Sequence, residues 1–462
     1  MDKVISAEAA DGLPPGRRGL AMLAVGMAVC MSVLDGSIAN VALPTIARQM
    51  QATPPEAIWV VNAYQLAVTV SLLPLALLGD IYGHRRVYCC GLVLYTLASI
   101  GSATATTLPH LIIARVLQGF GGAGIMSVNG ALIRFIFPRH QFGRGIGYNV
   151  LVVGTSSAAG PSAAAAILAV SSWPWLFAAQ VPFGLISLAL ALPFLPHSPR
   201  TAAKFDPQSA VLNAVTLGLF IIGLGGLGRE GSRTLVWLEL AGAVVVGTLF
   251  LRRQLRLSVP MLPIDLLMQR PVFALSSATA ICSHAAAIIA MVSLPFYFQY
   301  VGGLTAIEVG TLMTPWPVAV VLMAPIAGRL SDRYSAGVLG GIGLLLMALG
   351  LVTVALVPAN AAWFDIAWRL ALCGIGFGFF QSPNNRLLLG SVPPDRAGAG
   401  SGMLSTSRLV GQTTGSAIVT MVMGLTHGGT AAIATATHIV IGIAAGSALL
   451  AMVLSLLRGG RR

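Results

Sequence analysis

Charged residues are scarce in this sequence. Only 9% of its 462 residues are Asp, Glu, Lys or Arg, whereas 56% are hydrophobic and the mean hydropathy is +0.85. Soluble chains carry about 25% charged residues, so a water-soluble fold is excluded. Apolar runs of about 20 residues recur, the length that a helix needs to cross a bilayer, and the alternation typical of membrane barrels is missing. The composition therefore predicts an all-α integral membrane protein.

Residues suited to metal, disulfide or nucleotide chemistry are also few. The five cysteines lie mostly inside apolar runs without metal-ligand spacing, and we interpret them as small buried side chains. The seven histidines show no paired metal spacing, no P-loop is present, and the loops are too short for a soluble catalytic domain. No cofactor is expected, the protein is predicted not to be an enzyme, and a membrane receptor or membrane-embedded enzyme is a distant alternative.

Fourteen apolar runs are long enough to be membrane spans. They are separated by charged residues or by Pro and Gly, and they lie at 19–43, 57–78, 87–106, 109–130, 146–170, 174–195, 208–228, 234–251, 271–298, 306–328, 336–357, 361–385, 399–424 and 433–456. The first run is too long for the core of a signal peptide, so we expect it to remain as a helix. The sequence therefore predicts 14 transmembrane helices.

Lys and Arg are distributed unequally between the loops. With a cytoplasmic N-terminus, only Arg48, Arg229 and Arg233 fall in outer loops, and most others fall in inner segments. The positive-inside rule then predicts cytoplasmic tails at 1–18 and 457–462. The net charge of +13 follows from this loop pattern, so no nucleic-acid partner is expected.

Two motifs recur at nearly one interval. The stretch "LLGDIYGHRR" around Asp80 is echoed 252 residues later by "GRLSDRY" around Asp332, and "ARVLQGFGGAG" at Arg115 is echoed 254 residues later by "WRLALCGIGFG" at Arg369. Such repeats indicate a duplicated unit, as in many transporters. We therefore predict six-helix bundles at 19–195 and 271–456, joined by an inserted helix pair at 208–251.

An aspartate interrupts the first apolar run, in "MSVLDGSIANVALP". A carboxylate near the bilayer centre costs roughly 2.5 to 3.5 kcal/mol on insertion scales and usually faces a cavity or a partner charge. At 1.5 Å per residue, Asp35 would lie ~12 Å and Arg115 ~9 Å below the outer surface. Because these depths match, we expect Asp35 to bind a proton or a cation, with Arg115 close enough to change its pKa; an aspartate paired only for structure is the alternative.

Further candidate residues fall into three groups. The first is a pair of charged inner loops that contain Asp80, Gly83, Arg85, Asp332 and Arg333. The second is a Gly-Pro step inside the fifth span that can kink a helix, formed by Gly154, Gly160 and Pro161. The third is a possible substrate cavity with Asp35, Tyr64 and Gln118. In the twelfth span, Asp365 stands four residues before Arg369, and we interpret this pair as structural.

Taken together, these stretches resemble the major facilitator superfamily, and within it the 14-helix drug:proton antiporter branch. "LDGSIANVALPTIA" is similar to the branch's helix 1 motif, "GDIYGHRR" to the loop 2–3 motif, "RVLQG" to the helix 4 motif and "GTSSAAGP" to the helix 5 antiporter motif. The loop motif departs from the usual pattern at Ala76, Ile81 and His84, the helix 5 motif at Ala164 and Ala165, and Gln180 stands where asparagine is common.

The resemblance implies roles for the candidate residues. Asp35 would be the coupling carboxylate and Arg115 the arginine associated with proton transfer. Asp80, Gly83 and Arg85 would latch the two bundles together in the outward-facing state, with Asp332 and Arg333 as the repeated loop. Gly154, Gly160 and Pro161 would form the antiporter bend.

The resemblance also implies a function. The expected protein is a proton-coupled multidrug antiporter of the bacterial inner membrane, driven by the proton gradient, acting as a monomer by alternating access. Its expected substrates are lipophilic cations such as quaternary ammoniums, dyes and biocides; the tenth span has only Glu308, near its outer end, which favours monovalent or broadly lipophilic cations over dications. Export of a neutral or anionic metabolite or antibiotic is the alternative.

Overall fold

The structure, a computed structural model, consists of helices. It describes residues 12–138, 141–198, 205–228, 233–257, 262–331, 333–357, 361–392, 397–426 and 428–459. The helices are α1 (Pro15–Gln49), α2 (Pro54–Tyr82), α3 (His84–Ala103), α4 (Leu108–Ile136), α5 (Phe142–Val170), α6 (Pro174–Ala178), α7 (Gln180–Phe194), α8 (Pro207–Gly226), α9 (Arg233–Gln254), α10 (Ile264–Gln269), α11 (Pro271–Phe296), α12 (Ala306–Met313), α13 (Pro315–Leu330), α14 (Ala336–Ala355), α15 (Trp363–Gly390), α16 (Ala397–Leu425) and α17 (Gly429–Gly459). A π-helical turn, Tyr297–Val301, follows α11.

The prediction of an all-α membrane fold is confirmed. Thirteen segments of the described chain are long and apolar enough to cross a membrane, with α6 and α7 forming one segment and α12 and α13 another. Helix α16 is less apolar, but its 29 residues would extend ~43 Å, more than the ~30 Å hydrocarbon layer. Counting α16, the described chain has fourteen helical segments of span length.

Helix starts follow from local sequence. Thr53 and Glu56 form a capping box at the start of α2, and Thr305 and Glu308 form one at the start of α12. Each pair satisfies backbone N–H groups that the first helical turn leaves without partners. Proline occupies the first turn of α1, α2, α4, α6, α8, α11 and α13, where its missing N–H is no loss.

Helices α1–α7 pack mainly on one another, and so do α11–α17, except that α12 packs mainly on α5 of the first half. A Cβ built on Gly119 of α4 would lie 2.6 Å from the carbonyl oxygen of Tyr64 in α2, and one built on Gly374 of α15 would overlap the carbonyl oxygen of Trp316 in α13. The same close crossing therefore occurs twice, at equivalent places in the two halves. The bundle boundaries at 19–195 and 271–456 stay a prediction.

The hairpin of α8 and α9 lies beside α2 and α16, against the junction of the two halves. Its open end is closed by Asp206, which caps α8 and pairs with Arg253 of α9 at 3.0 Å. The hydrogen bond from Arg253 lowers the pKa of Asp206 to about 2, so the pair persists at any physiological pH. Helix α9 exposes large apolar side chains such as Leu238 and Val244, as expected of a surface that meets lipid.

Hydrogen bonds between the two halves are concentrated toward the end where α1 finishes. Gln299 donates to the carbonyl oxygen of Val41 at 3.1 Å and accepts from Arg48 at 2.6 Å, while Tyr300 donates to the carbonyl oxygen of Pro44 at 3.4 Å. These five residues are called the clasp below. Further pairs are Ser162 with Thr314 at 2.7 Å, Asn62 with Thr420 at 3.0 Å, and Thr69 with Thr413 at 3.0 Å.

Candidate functional site

Asp35 of α1 and Arg115 of α4 form a fully buried ion pair. The Nη1 atom of Arg115 lies 2.7 Å from both carboxylate oxygens of Asp35, and both side chains are 0% exposed. The matching depths inferred from sequence thus correspond to a direct contact. Two charges removed from water must pair closely, because an isolated buried charge is very unfavourable.

Several groups fix the Arg115 guanidinium in place. Its Nε donates to the carbonyl oxygen of Val60 at 3.0 Å, and its Nη1 also donates to Oε1 of Gln118 at 2.7 Å. The guanidinium carbon lies 4.4 Å from the ring centre of Tyr64 and 5.4 Å from that of Phe177. These cation–π contacts are stronger where water is excluded. Arg115 is therefore held by four residues besides Asp35.

Two glutamine amides complete the environment of Asp35. Its Oδ1 accepts from Nε2 of Gln180 at 3.0 Å and from Nε2 of Gln118 at 3.3 Å. Gln180, at the start of α7, is itself bonded by the hydroxyl of Tyr95 at 2.6 Å. From the sequence, Gln180 is only a departure from a motif; its contact with Asp35 was not predicted, although a polar residue in an apolar span was a signal for it.

The pair leaves two buried atoms without a hydrogen bond in the described part of the chain. They are Oδ2 of Asp35, which lies near Arg115 but off its donor direction, and Nη2 of Arg115. Buried polar atoms are nearly always hydrogen-bonded, so such exceptions need an explanation. Oδ2 can accept a proton while Oδ1 keeps its three donors.

A cavity of about 320 Å³ lies between the two halves. Its wall combines aromatic and Met side chains with polar groups from both halves, including Tyr64, Arg115, His284, Trp316, Phe377, Arg408 and Gln412. Asp35 and Gln118, predicted to line a cavity, are not part of this wall; they lie behind Arg115, and only Tyr64 of the three faces it. Arg408, His284 and Gln412 were not identified from the sequence.

The predicted latch residues contact their own half of the molecule. Asp80 is 3.1 Å from Nε2 of His84, and Arg85 bonds to the Leu192 carbonyl oxygen and lies 2.9 Å from Nε2 of His197. Gly83 has φ +101°, a backbone conformation that favours glycine, and so allows the turn between α2 and α3. In the described chain, none of these residues bonds to the second half.

The repeated loop is seen only in part. Arg333 is exposed three residues beyond the end of α13, and Asp332 lies outside the described residues. In the twelfth span, Asp365 and Arg369 pair at 3.0 Å within α15, as their spacing allowed.

The predicted bend residues of α5 lie at the junction of the two halves. A Cβ on Gly160 would overlap Ser37 of α1, and a Cβ on Gly154 would lie 3.4 Å from Val321 of α13. The carbonyl oxygen of Pro161 lies 2.6 Å from a Cβ built on Gly310 of α12. Helix α5 is continuous through Pro161 and touches both halves.

The family of the chain is decided by its sequence as a whole. The model of the Major Facilitator Superfamily matches residues 25–416, most of the chain. The chain belongs to this superfamily. It is therefore a multi-pass membrane transporter, and small molecules are the substrates expected of it. By fold it is similar to a bacterial homologue of the human lysosomal transporter Spinster, with TM-score 0.70 over 97% of each chain at 14% identity.

Several curated relatives align over most of their length. The chain is 53% identical to the uncharacterized transporter YebQ of Escherichia coli strain K12, over 90% of this chain and 91% of the relative. It is 30% identical to the riboflavin transporter RibZ of Clostridioides difficile strain 630, over 85% of both chains. It is 32% identical to the multidrug resistance protein Stp of Mycobacterium tuberculosis strain CDC 1551, over 87% of this chain and 75% of the relative.

Proposed function

We propose that this transporter is a proton-coupled exporter of small lipophilic molecules that works by alternating access, in the 14-helix drug:proton antiporter branch. The observation that carries the proposal is the buried pair of Asp35 and Arg115, in which one carboxylate oxygen has no donor among the described residues. An ionisable pair inside a membrane bundle is by default a functional site, because an ionised group there is costly.

Asp35 is proposed as the proton site. Protonation of Oδ2 would cancel the carboxylate charge and leave Arg115, which cannot lose its own charge, without a counter-ion. Arg115 belongs to the wall of the cavity, so the change of charge would reach the substrate space although Asp35 itself does not line it. Proton and substrate would then bind to different groups, and the motion of the two halves would link them.

The alternation itself would be a rocking of the two halves. The clasp joins them at one end, while the loop with Asp80 and Arg85 makes no described bond across. With both termini in the cytoplasm of a bacterial cell, the clasp end faces outward, and the arrangement is closed to the outside. The Asp80 loop would form its latch in the opposite state, and a monomer would suffice for the cycle.

The relatives support export of small molecules without fixing the substrate. Stp is named for multidrug resistance and another relative for tetracenomycin C resistance and export, whereas RibZ is named a riboflavin transporter. The sequence alone favoured lipophilic cations. The charges of the cavity wall favour the neutral or anionic alternative, because among the described residues that line it two are arginines and none is acidic.

The test is substrate-driven proton movement. Inside-out membrane vesicles with an acidified lumen and a pH-sensitive dye should lose lumenal protons when a transported compound is added. Asp35→Asn should abolish this response, since asparagine cannot carry the proton. Asp365→Asn is the matched control, because it removes an aspartate from an Asp–Arg pair away from the cavity wall. A full response in Asp35→Asn would refute the role of Asp35.

A further inference from the structure

We propose that the cavity binds an organic anion with an aromatic body, and that Arg408 of α16 is the residue that selects the anionic group. This inference rests on the proposed function, since it names the substrate class of that transport site. It departs from the lipophilic cations that the sequence favoured.

The charged residues in the wall of the cavity are arginines. Arg115 and Arg408 both line the cavity, and its described lining residues include no aspartate or glutamate. The charge of Arg115 is matched by Asp35 at 2.7 Å. For Arg408, no ion pair joins it to a carboxylate in the described chain. The resting wall therefore carries one uncompensated positive charge, which attracts anions and repels cations.

The Arg408 side chain has a hydrogen-bond donor that the described residues leave unused. Its Nε atom is buried and has no hydrogen-bond partner among the described residues. A guanidinium is planar and matches carboxylate, sulfonate or phosphate oxygens with two parallel donors. A buried donor with no protein acceptor beside a cavity is a place where a ligand oxygen would complete the hydrogen bonding.

The local packing explains why Arg408 stands there. Helices α11 and α16 approach closely, because a Cβ on Gly411 would lie 3.1 Å from the Cβ of His284 and one on Gly415 would lie 2.6 Å from the Ala285 carbonyl oxygen. This contact brings Arg408 and His284 to one wall. His284 Nδ1 lies 2.8 Å from the Ala280 carbonyl oxygen, to which it must donate. In the neutral ring Nε2 is then an acceptor, which leaves the anionic group to Arg408.

The wall of the cavity also has an apolar part. Tyr64, Trp316 and Phe377 face the cavity together with three methionines. Aromatic and Met side chains accommodate flat apolar bodies. The volume of about 320 Å³ is at the lower end of the range for small-molecule sites. One aromatic body with one anionic group near Arg408 fits both features.

The test uses three probes with one aromatic body and different charge: naphthalene-2-sulfonate, naphthalene-2-sulfonamide and naphthalen-2-yltrimethylammonium. Binding to the full-length purified protein is measured by titration calorimetry. We expect the sulfonate to bind at least about tenfold more tightly than the ammonium. Arg408→Gln should weaken sulfonate binding by about 10- to 100-fold, the loss expected for a charge-assisted hydrogen bond, and change sulfonamide binding by less than about threefold.

Two more variants complete the design. Arg408→Lys should recover part of the sulfonate affinity, because it restores the charge without the planar fork. Arg386→Gln removes a charge from the exposed surface of α15, outside the cavity, and should leave sulfonate binding unchanged. Retained sulfonamide binding shows that each variant is folded.

The outcomes divide clearly. Tighter binding of the ammonium, equal binding of the three probes, no sulfonate binding up to millimolar concentration, or native sulfonate affinity in Arg408→Gln would each overturn the inference. Proton movement is measured in proteoliposomes of the same protein. Sulfonate binding without sulfonate-driven proton movement would refute the proposed function and leave the assigned anion site standing, whereas ammonium-driven proton movement with no sulfonate binding would do the reverse.

Discussion

Replacing Gln299 with leucine should shift the protein toward the state that is open at the clasp end. Gln299 is 4% exposed and makes two short hydrogen bonds to α1, one to the carbonyl oxygen of Val41 and one from Arg48; a third, from the Thr45 hydroxyl, is 3.4 Å long and too weak to add to the estimate. Leucine keeps a similar volume and removes both. Because these bonds join the two halves only when the clasp is closed, their loss acts on that state alone.

The size of the shift can be estimated from the two contacts. A neutral amide–carbonyl bond contributes about 1 kcal/mol net. The bond from the Arg48 guanidinium would contribute more if buried, but Arg48 is exposed and regains water, so about 1 kcal/mol is appropriate. The sum of about 2 kcal/mol corresponds to a roughly 30-fold change in the ratio of closed to open molecules.

The assay is a distance measurement between spin labels on the two halves. Thr104, which follows α3, and Ala362, which precedes α15, are exposed at the clasp end, one in each half. Labels carried by non-canonical amino acids leave the native cysteines unchanged. Gln299→Leu should add a population at longer distance.

The control for this measurement is Thr435→Val in α17. In the part of the chain that the structure describes, the Thr435 hydroxyl bonds only within its own helix, to the carbonyl oxygen of Ala431 at 3.0 Å, so its loss should not change the distance distribution. A change of less than about threefold in the closed-to-open ratio of Gln299→Leu would refute the reasoning, because two lost bonds are expected to produce about ten times that effect.

Three further predictions follow from the site. Asp35→Asn should abolish proton movement but keep naphthalene-2-sulfonate binding within about threefold of native affinity, or tighten it, because Asp35 does not line the cavity. The same variant should lower the free energy of unfolding by up to about 3 to 5 kcal/mol, since Arg115 loses its partner. Binding lost together with proton movement would contradict separate sites. Gly160→Val should abolish transport through its clash with Ser37, whereas Gly130→Val, with open space around it, should not; vesicle uptake measures both, and normal uptake by the first would argue against a tight α1–α5 contact. Exchange of one proton for one monoanion moves two charges, about 4.6 kcal/mol per 100 mV, so a potassium–valinomycin potential should strongly change the export rate of the sulfonate; a rate independent of potential would exclude that stoichiometry.

The sequence predicted how deep a side chain lies in the membrane better than which way it faces. The fixed rise of a helix placed Asp35 and Arg115 at one level, and the contact at 2.7 Å agrees with that expectation. Whether a side chain faces a cavity depends on rotation about the helix axis and on its neighbours. Asp35 and Gln118 were therefore predicted at the cavity, although Arg115 stands between them and the open space.

Arg408 illustrates the second limit of sequence reasoning. It is a single arginine in a long span. Whether its charge is neutralised or free to bind an anion depends on which carboxylates lie near it. That knowledge depends on the approach of α11 and α16 at Gly411, a contact between residues more than a hundred positions apart in the chain. Local pattern does not encode such a pairing, whereas the length and polarity of the spans, which are local, were predicted well.

The least apolar span of the described chain, α16, is one of those that contact the other half. Helix α16 is less hydrophobic than the other spans because Thr413 and Thr420 face α2 and Arg408 faces the cavity, instead of lipid. The threonine bonds to α2 are neutral side-chain bonds of about 1 kcal/mol each, and water in an open cleft could replace them. Within each half, by contrast, backbones touch directly, as where a Cβ on Gly343 would lie 2.7 Å from the Gly376 carbonyl oxygen. Weak, exchangeable bonds where α2 meets α16, together with close backbone contact inside each half, are what the proposed rocking of two rigid halves requires of this face.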